Sequence, residues 1–182
     1  MNIRNRIKNT AGLFLFSHLN PIKAIWMRTI SELYEYHLHY IYSAEIQLVE
    51  GLSIMASKAT NRLLNEVLEI QLEKTKDNKQ ALSKLVQGYL ENNREVTCLM
   101  VQAYLRETQE FIKGATQEEV LNVGLMVETQ RLVHFKISIY SAALYYTNIL
   151  NYQEDTRVLS EILDGEHQNL ITVASLEKDQ IY

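Results

Sequence analysis

Apolar residues recur along this chain with a helical period. Placed at about 100° per residue, Tyr34, Leu38, Ile41, Leu48 and Leu52 share one stripe, which predicts a first helix over residues 30–57. Glu45 falls inside that stripe. A second helix is predicted over 61–90, with Leu64, Val67, Leu82, Leu85 and Tyr89 on its inner face. From Glu73 to Gln80 no apolar side chain occurs, although an ordinary core helix would place some there. Gln71, Lys74, Thr75 and Asn78 are therefore expected to point inward at mid-height. A shorter helix is expected over 96–113, stopped by Gly114. The next starts after Thr116, whose spacing to Glu119 matches a capping box, and runs to about residue 150. It is apolar on nearly all sides, so it is expected to be the most buried, and it carries Val133, His134 and Lys136. The last helix is predicted over 154–178, with Leu159, Ile162, Leu170 and Val173 in its stripe and Glu166 among them.

Four long helices, one short helix and short links predict an all-α four-helix bundle. Composition narrows the alternatives. The 182 residues include one proline and six glycines, where average usage gives about nine and about thirteen. A turn-rich sandwich or barrel is excluded on that ground. Neither a dinucleotide-binding GxGxxG nor a P-loop is present. Cys98 is the single cysteine, which excludes an internal disulfide and a thiolate metal cluster built from one chain, and favours a cytoplasmic setting. No run of 18 apolar residues exists, so no ordinary membrane span is expected.

The formal charge of −4 argues against a nucleic-acid binder, but it is unevenly spread. Residues 1–31 hold Arg4, Arg6, Lys8, Lys23 and Arg28 and no acid, a charge of +5, and the rest of the chain carries −9. With Pro21 as a divider, residues 1–28 read as a basic N-terminal extension and 29–178 as the bundle. The extension contains Leu13-Phe14-Leu15-Phe16. It reads as a docked extension, as a contact with a membrane surface or a protein partner, or as a targeting signal. For a signal the apolar run is short and no A-x-A cleavage site follows.

Carboxylates aimed inward from different helices are what a di-iron or di-manganese bundle requires, usually with a Glu-x-x-His pair on two of the helices. Glu45 and Glu166 are candidate metal ligands in that sense, but no Glu-x-x-His occurs. A buried carboxylate without a counter-charge is costly, and Lys74 and Lys136 are the candidate counter-ions. His37 and His39 lie two apart on a helix and cannot chelate together; their tyrosine-rich surroundings suggest an aromatic surface that packs a partner subunit. His134 reads as a core or interface histidine, and Cys98 as a buried small hydrophobe.

Several segments resemble one family. Tyr42-Ser43-Ala44-Glu45-Ile46-Gln47-Leu48 is close to Y-[SD]-A-E-K-Q-L, and Gln71-Leu72-Glu73-Lys74-Thr75 stands where H-L-E-E-T is usual. Gln130 to Ile137 with Tyr140 parallels Q-K-V-E-H-Y-E-I, and Leu159 to Glu166 parallels L-x-E-T-L-x-E-E. Over about residues 29–176 the chain thus resembles the stress-induced, ferritin-like YciE/YciF-type bacterial proteins. The resemblance implies a ferritin-like four-helix bundle with an additional short helix, a dinuclear metal site and a cytoplasmic homodimer.

The departures concentrate at the implied site. Glu45 and Glu166 match. Gln71, Lys74 and Asn78 replace inward ligands of the second helix, Gln102 lies in a changed short-helix motif, and Val133 and Lys136 replace two carboxylates. The expectation is a non-catalytic bundle with a degenerate dinuclear site, no cofactor and a structural or stress-linked interaction role. The rival is a divergent iron or manganese carboxylate protein with oxidase, peroxidase or storage activity. A further alternative is a membrane-surface or partner-binding module that uses residues 1–28.

Overall fold

The computed structural model describes residues 27–89 and 96–176, and within them it is all-α. Five helices follow in order: α1 (Ile30–Lys58), α2 (Arg62–Gln87), α3 (Leu99–Gly114), α4 (Glu118–Leu150) and α5 (Gln153–Leu176). The four long ones form the expected bundle, with α3 as the additional short helix. Residues 1–26, most of the basic extension, lie outside the described residues, as does Lys178. Among the described residues no helix is long and apolar enough to cross a membrane.

Local chemistry sets the helix ends. Thr29 and Glu32 form a capping box at α1: the Thr29 hydroxyl accepts from the Glu32 N–H, and the Glu32 carboxylate accepts from the Thr29 N–H. Asn61 caps α2 by accepting the N–H groups of Leu63 and Leu64. Asn151 ends α4 with φ at 57°, a left-handed position that asparagine tolerates better than most residues, and this turns the chain into α5. The box expected at Thr116 and Glu119 does not form. Gln117 is the N-cap of α4 and makes no side-chain cap bond.

The direction of each helix follows from ties at its ends. Ser31 meets Tyr152 at one end of α1 and Thr60 meets Asn122 at the other, so α1 and α4 are antiparallel. Lys74 meets Asn169 and Tyr89 meets Asp155, so α2 and α5 are antiparallel too. Two tight hairpins, α1–α2 and α4–α5, complete the bundle. α2 and α4 therefore run the same way on a diagonal, and the link between them must travel the bundle's length. α3 lies in that link.

α3 is seated by two glycines. A Cβ on Gly51 of α1 would collide with the Leu105 side chain, and one on Gly124 of α4 would overlap the Phe111 ring. Each glycine is a notch that receives one apolar side chain of α3. The expected dominance of α4 in the core is not observed. Val120, Val127, Tyr145 and Ile149 are exposed on it, and its ten buried residues are spread over 33 positions, against ten over the 29 positions of α1.

Candidate functional site: a buried ion-paired core

Each long helix sends polar groups to the same height of the core. Glu45 of α1, Gln71 and Thr75 of α2, Lys136 and Tyr140 of α4, and Glu166 and Asn169 of α5 are all buried. Helical spacing places them there. Glu45 sits in the stripe between Ile41 and Leu48, Lys136 between Leu132 and Tyr140, and Glu166 between Ile162 and Asn169.

Lys136 is the hub. Its Nζ lies 2.6 Å from Glu166 Oε1 and 3.3 Å from Glu45 Oε1, and it donates to Thr75 Oγ1 at 3.2 Å. The carboxylates have further donors. The Tyr140 hydroxyl donates to Glu45 Oε1 at 2.8 Å. Asn78 Nδ2 donates to Glu166 Oε1, and Asn169 Nδ2 to Glu166 Oε2, both at 3.1 Å. Glu45 Oε2 and Gln71 Nε2 are buried without a hydrogen-bond partner.

The electrostatics follow from one ammonium shared by two carboxylates in a low-dielectric interior. Burial raises the Glu45 pKa above the ordinary glutamate range; the attraction of Lys136 opposes this and the nearby charge of Glu166 adds to it. Burial disfavours the Lys136 charge, yet Glu45 and Glu166 together more than offset it, and the ammonium is held above its ordinary value. Burial, reinforced by Glu45, keeps Tyr140 a neutral phenol far into the alkaline range.

These residues do not fit a dinuclear metal centre. A protonated lysine has three donors and no lone pair, and here it stands against both carboxylates. Tyr140, Asn78 and Asn169 also point hydrogen atoms at the oxygens that a metal would need.

The other singled-out residues divide. Lys74 is half-buried and reaches neither carboxylate; it donates to Asn169 Oδ1 at 2.6 Å and touches Glu166 only through that amide. Val133 is fully buried. Gln102 is exposed on α3 and lies away from the cluster, and His134 is exposed rather than in the core. The tyrosine-rich stretch of α1 turns inward in part: Tyr34 is fully buried, and His37 Nε2 lies 2.8 Å from the Ile139 carbonyl oxygen. Cys98 is buried, as expected of a small hydrophobe. Sequence reasoning gave no role to Asn169 or Tyr140 in the cluster. Their spacing was the available signal, since Asn169 lies three residues after Glu166 and Tyr140 four after Lys136.

Fold and site together define a crossover-linked four-helix bundle with an ion-paired polar core. The chain belongs to the family described as Domain of unknown function (DUF892), whose model matches residues 29–181. It is 26% identical to Protein YciF of Escherichia coli strain K12 over 153 residues, which is 82% of this chain and 91% of that protein. The crystal structure of the E. coli stress protein YciF superposes with a TM-score of 0.78 at 25% identity, covering 85% of this chain and 98% of that one. YcfI from Rhodopseudomonas palustris is similar in fold, with a TM-score of 0.76 at 24% identity over 81% of this chain and 94% of its own.

Proposed function

We propose that this chain is a non-catalytic, ferritin-like bundle in which an internal ion pair takes the place of a dinuclear metal site, and that it serves a structural, stress-linked interaction role. The observation that carries this reading is the Lys136 ammonium held between Glu166 and Glu45. A cation that the chain itself supplies makes the carboxylates unavailable as metal ligands and leaves the core no substrate-facing chemistry. Gln71, Lys74, Asn78 and Val133 complete the degenerate site around it. Similarity to YciF, described as a stress protein, supports the stress link. In this reading the protein needs no cofactor and acts as a homodimer in the cytoplasm. One face of α4, with Val120, Val127, Tyr145 and Ile149 exposed, offers a surface for a second copy.

The test is metal analysis of protein expressed with iron and manganese in excess. The expected result is substoichiometric metal with full folding. Two metals per chain, with Lys136 displaced, would overturn the reading.

A further inference from the structure

A second polar cluster lies at the end of the bundle where α1 begins. Tyr34 of α1, Tyr89 just beyond α2, Tyr152 in the α4–α5 link and Asp155 in the first turn of α5 meet there. The Tyr34 hydroxyl donates to Asp155 Oδ2 at 2.7 Å, and the Tyr89 hydroxyl donates to the same oxygen at 2.6 Å. The Tyr34 ring centroid is 5.6 Å from that of Tyr89 and 5.7 Å from that of Tyr152, and Tyr89 and Tyr152 are 6.3 Å apart. Tyr34 has no solvent exposure, whereas Tyr89 and Tyr152 are partly exposed.

Two phenols on one carboxylate oxygen is more than packing requires. A phenol that loses an electron becomes a strong acid, so its proton must leave at the same time. In a buried position water cannot collect that proton, and a base already in hydrogen-bond contact lowers the barrier. Burial and Asp155 together hold Tyr34 and Tyr89 in the neutral phenol form, so the electron and the proton leave together rather than by way of a phenolate.

We propose that Tyr34, Tyr89 and Asp155 form a one-electron oxidation site, with Tyr152 as its partly exposed outlet. The oxidant is an outer-sphere one-electron acceptor. It takes one electron from the phenol of Tyr34 or Tyr89, the O–H bond breaks, and the proton passes to Asp155 Oδ2. The products are a neutral tyrosyl radical, a protonated Asp155 and the reduced acceptor. The radical moves among rings that lie about one ring diameter apart and is quenched at Tyr152 by reductants in solution.

The experiment uses photogenerated tris(bipyridine)ruthenium(III) as the oxidant on the full chain, with the tyrosyl radical quantified by electron paramagnetic resonance. Asp155→Asn keeps a hydrogen-bond acceptor but removes the base. The double variant Tyr34→Phe with Tyr89→Phe removes the donors, and Tyr145→Phe controls for a solvent-facing tyrosine. A severalfold drop in radical yield for the first two, with Tyr145→Phe unchanged, is the expected result. Equal yields in all proteins, or loss on Tyr145→Phe alone, would overturn the proposal. Because Asp155→Asn could also disturb folding, the wild-type rate is compared in light and heavy water. A clear slowing in heavy water is expected, and none would count against the proposal independently.

Discussion

The Nζ of Lys136 on α4 stands 2.6 Å from Oε1 of Glu166 on α5, and both side chains are almost closed to solvent. A buried ion pair of this kind contributes little against an apolar replacement of the whole group, but losing one partner strands the other charge. Lys136→Met is therefore expected to destabilise the fold by about 3–5 kcal/mol, read as a shift in the urea midpoint near neutral pH. Adding Glu45→Gln and Glu166→Gln to the same chain should recover most of that loss. If the triple variant stays as unstable as Lys136→Met, the role of Lys136 lies in its packing and not in its charge.

The raised pKa of Glu45 gives stability a pH dependence of definite sign. Folded Glu45 keeps its proton to a higher pH than the unfolded chain does. Its contribution is complete below the ordinary glutamate value of about 4.3 and is lost as pH rises through the higher folded value. Glu45→Gln cannot ionise, so it should gain on the wild type as pH rises from about 4 toward neutrality. Lys136 acts at the other end. Its folded pKa is also raised, so its contribution persists up to about pH 10.4 and fades only above that. Thermal midpoints of wild type and Glu45→Gln between acid and neutral pH check the Glu45 statement, and parallel curves would refute it.

Much of this architecture was legible in the sequence because it rests on local periodicity. The stripes containing Glu45 and Glu166 each continue on both sides of the carboxylate, so burial of the charge could be read directly. The polar stretch after Gln71 likewise marked the height of the core cluster. Which lysine serves the carboxylates was not legible. Lys74 and Lys136 both lie on inward-leaning positions, and only packing shows that Lys74 is drawn aside to Asn169 while Lys136 enters the centre. The cap of α4 was misplaced for a similar reason, since Thr116 and Glu119 have the right spacing but the helix begins after Gln117. The Tyr34–Asp155 contact spans 121 positions in the chain, and no local pattern announces such a pair.

The two glycine notches were also invisible in the sequence, and they yield a prediction about α3. Because a Cβ at Gly124 would overlap the Phe111 ring, Gly124→Val should force the short helix outward. Overpacking of this kind typically costs about 1–3 kcal/mol. Phe111→Ala in the same chain makes room for the new side chain, so the double variant should lose less than the sum of the single losses. A double-mutant cycle on denaturation midpoints measures this coupling. Strict additivity would mean that Gly124 and Phe111 do not share the site.

Asn122 fastens the α1–α2 turn to α4, and its loss should be felt at the end of the bundle opposite the tyrosine cluster. It is buried, its Oδ1 accepts the N–H groups of Thr60 at 3.0 Å and Asn61 at 3.1 Å, and its Nδ2 donates to the Thr60 hydroxyl at 2.8 Å. Asn122→Ala leaves two backbone donors without their acceptor, an effect of about 1–3 kcal/mol. Asn122→Asp keeps the acceptor and places a negative charge by the N-terminus of α2, where the helix dipole favours it. The aspartate variant should therefore lie between wild type and Asn122→Ala in stability, and hydrogen exchange at Thr60 and Asn61 should rise in the alanine variant far more than in the aspartate one. If the aspartate variant proves as unstable as Asn122→Ala, the Nδ2–Thr60 bond that both variants lose, rather than the two backbone contacts, is what holds the turn.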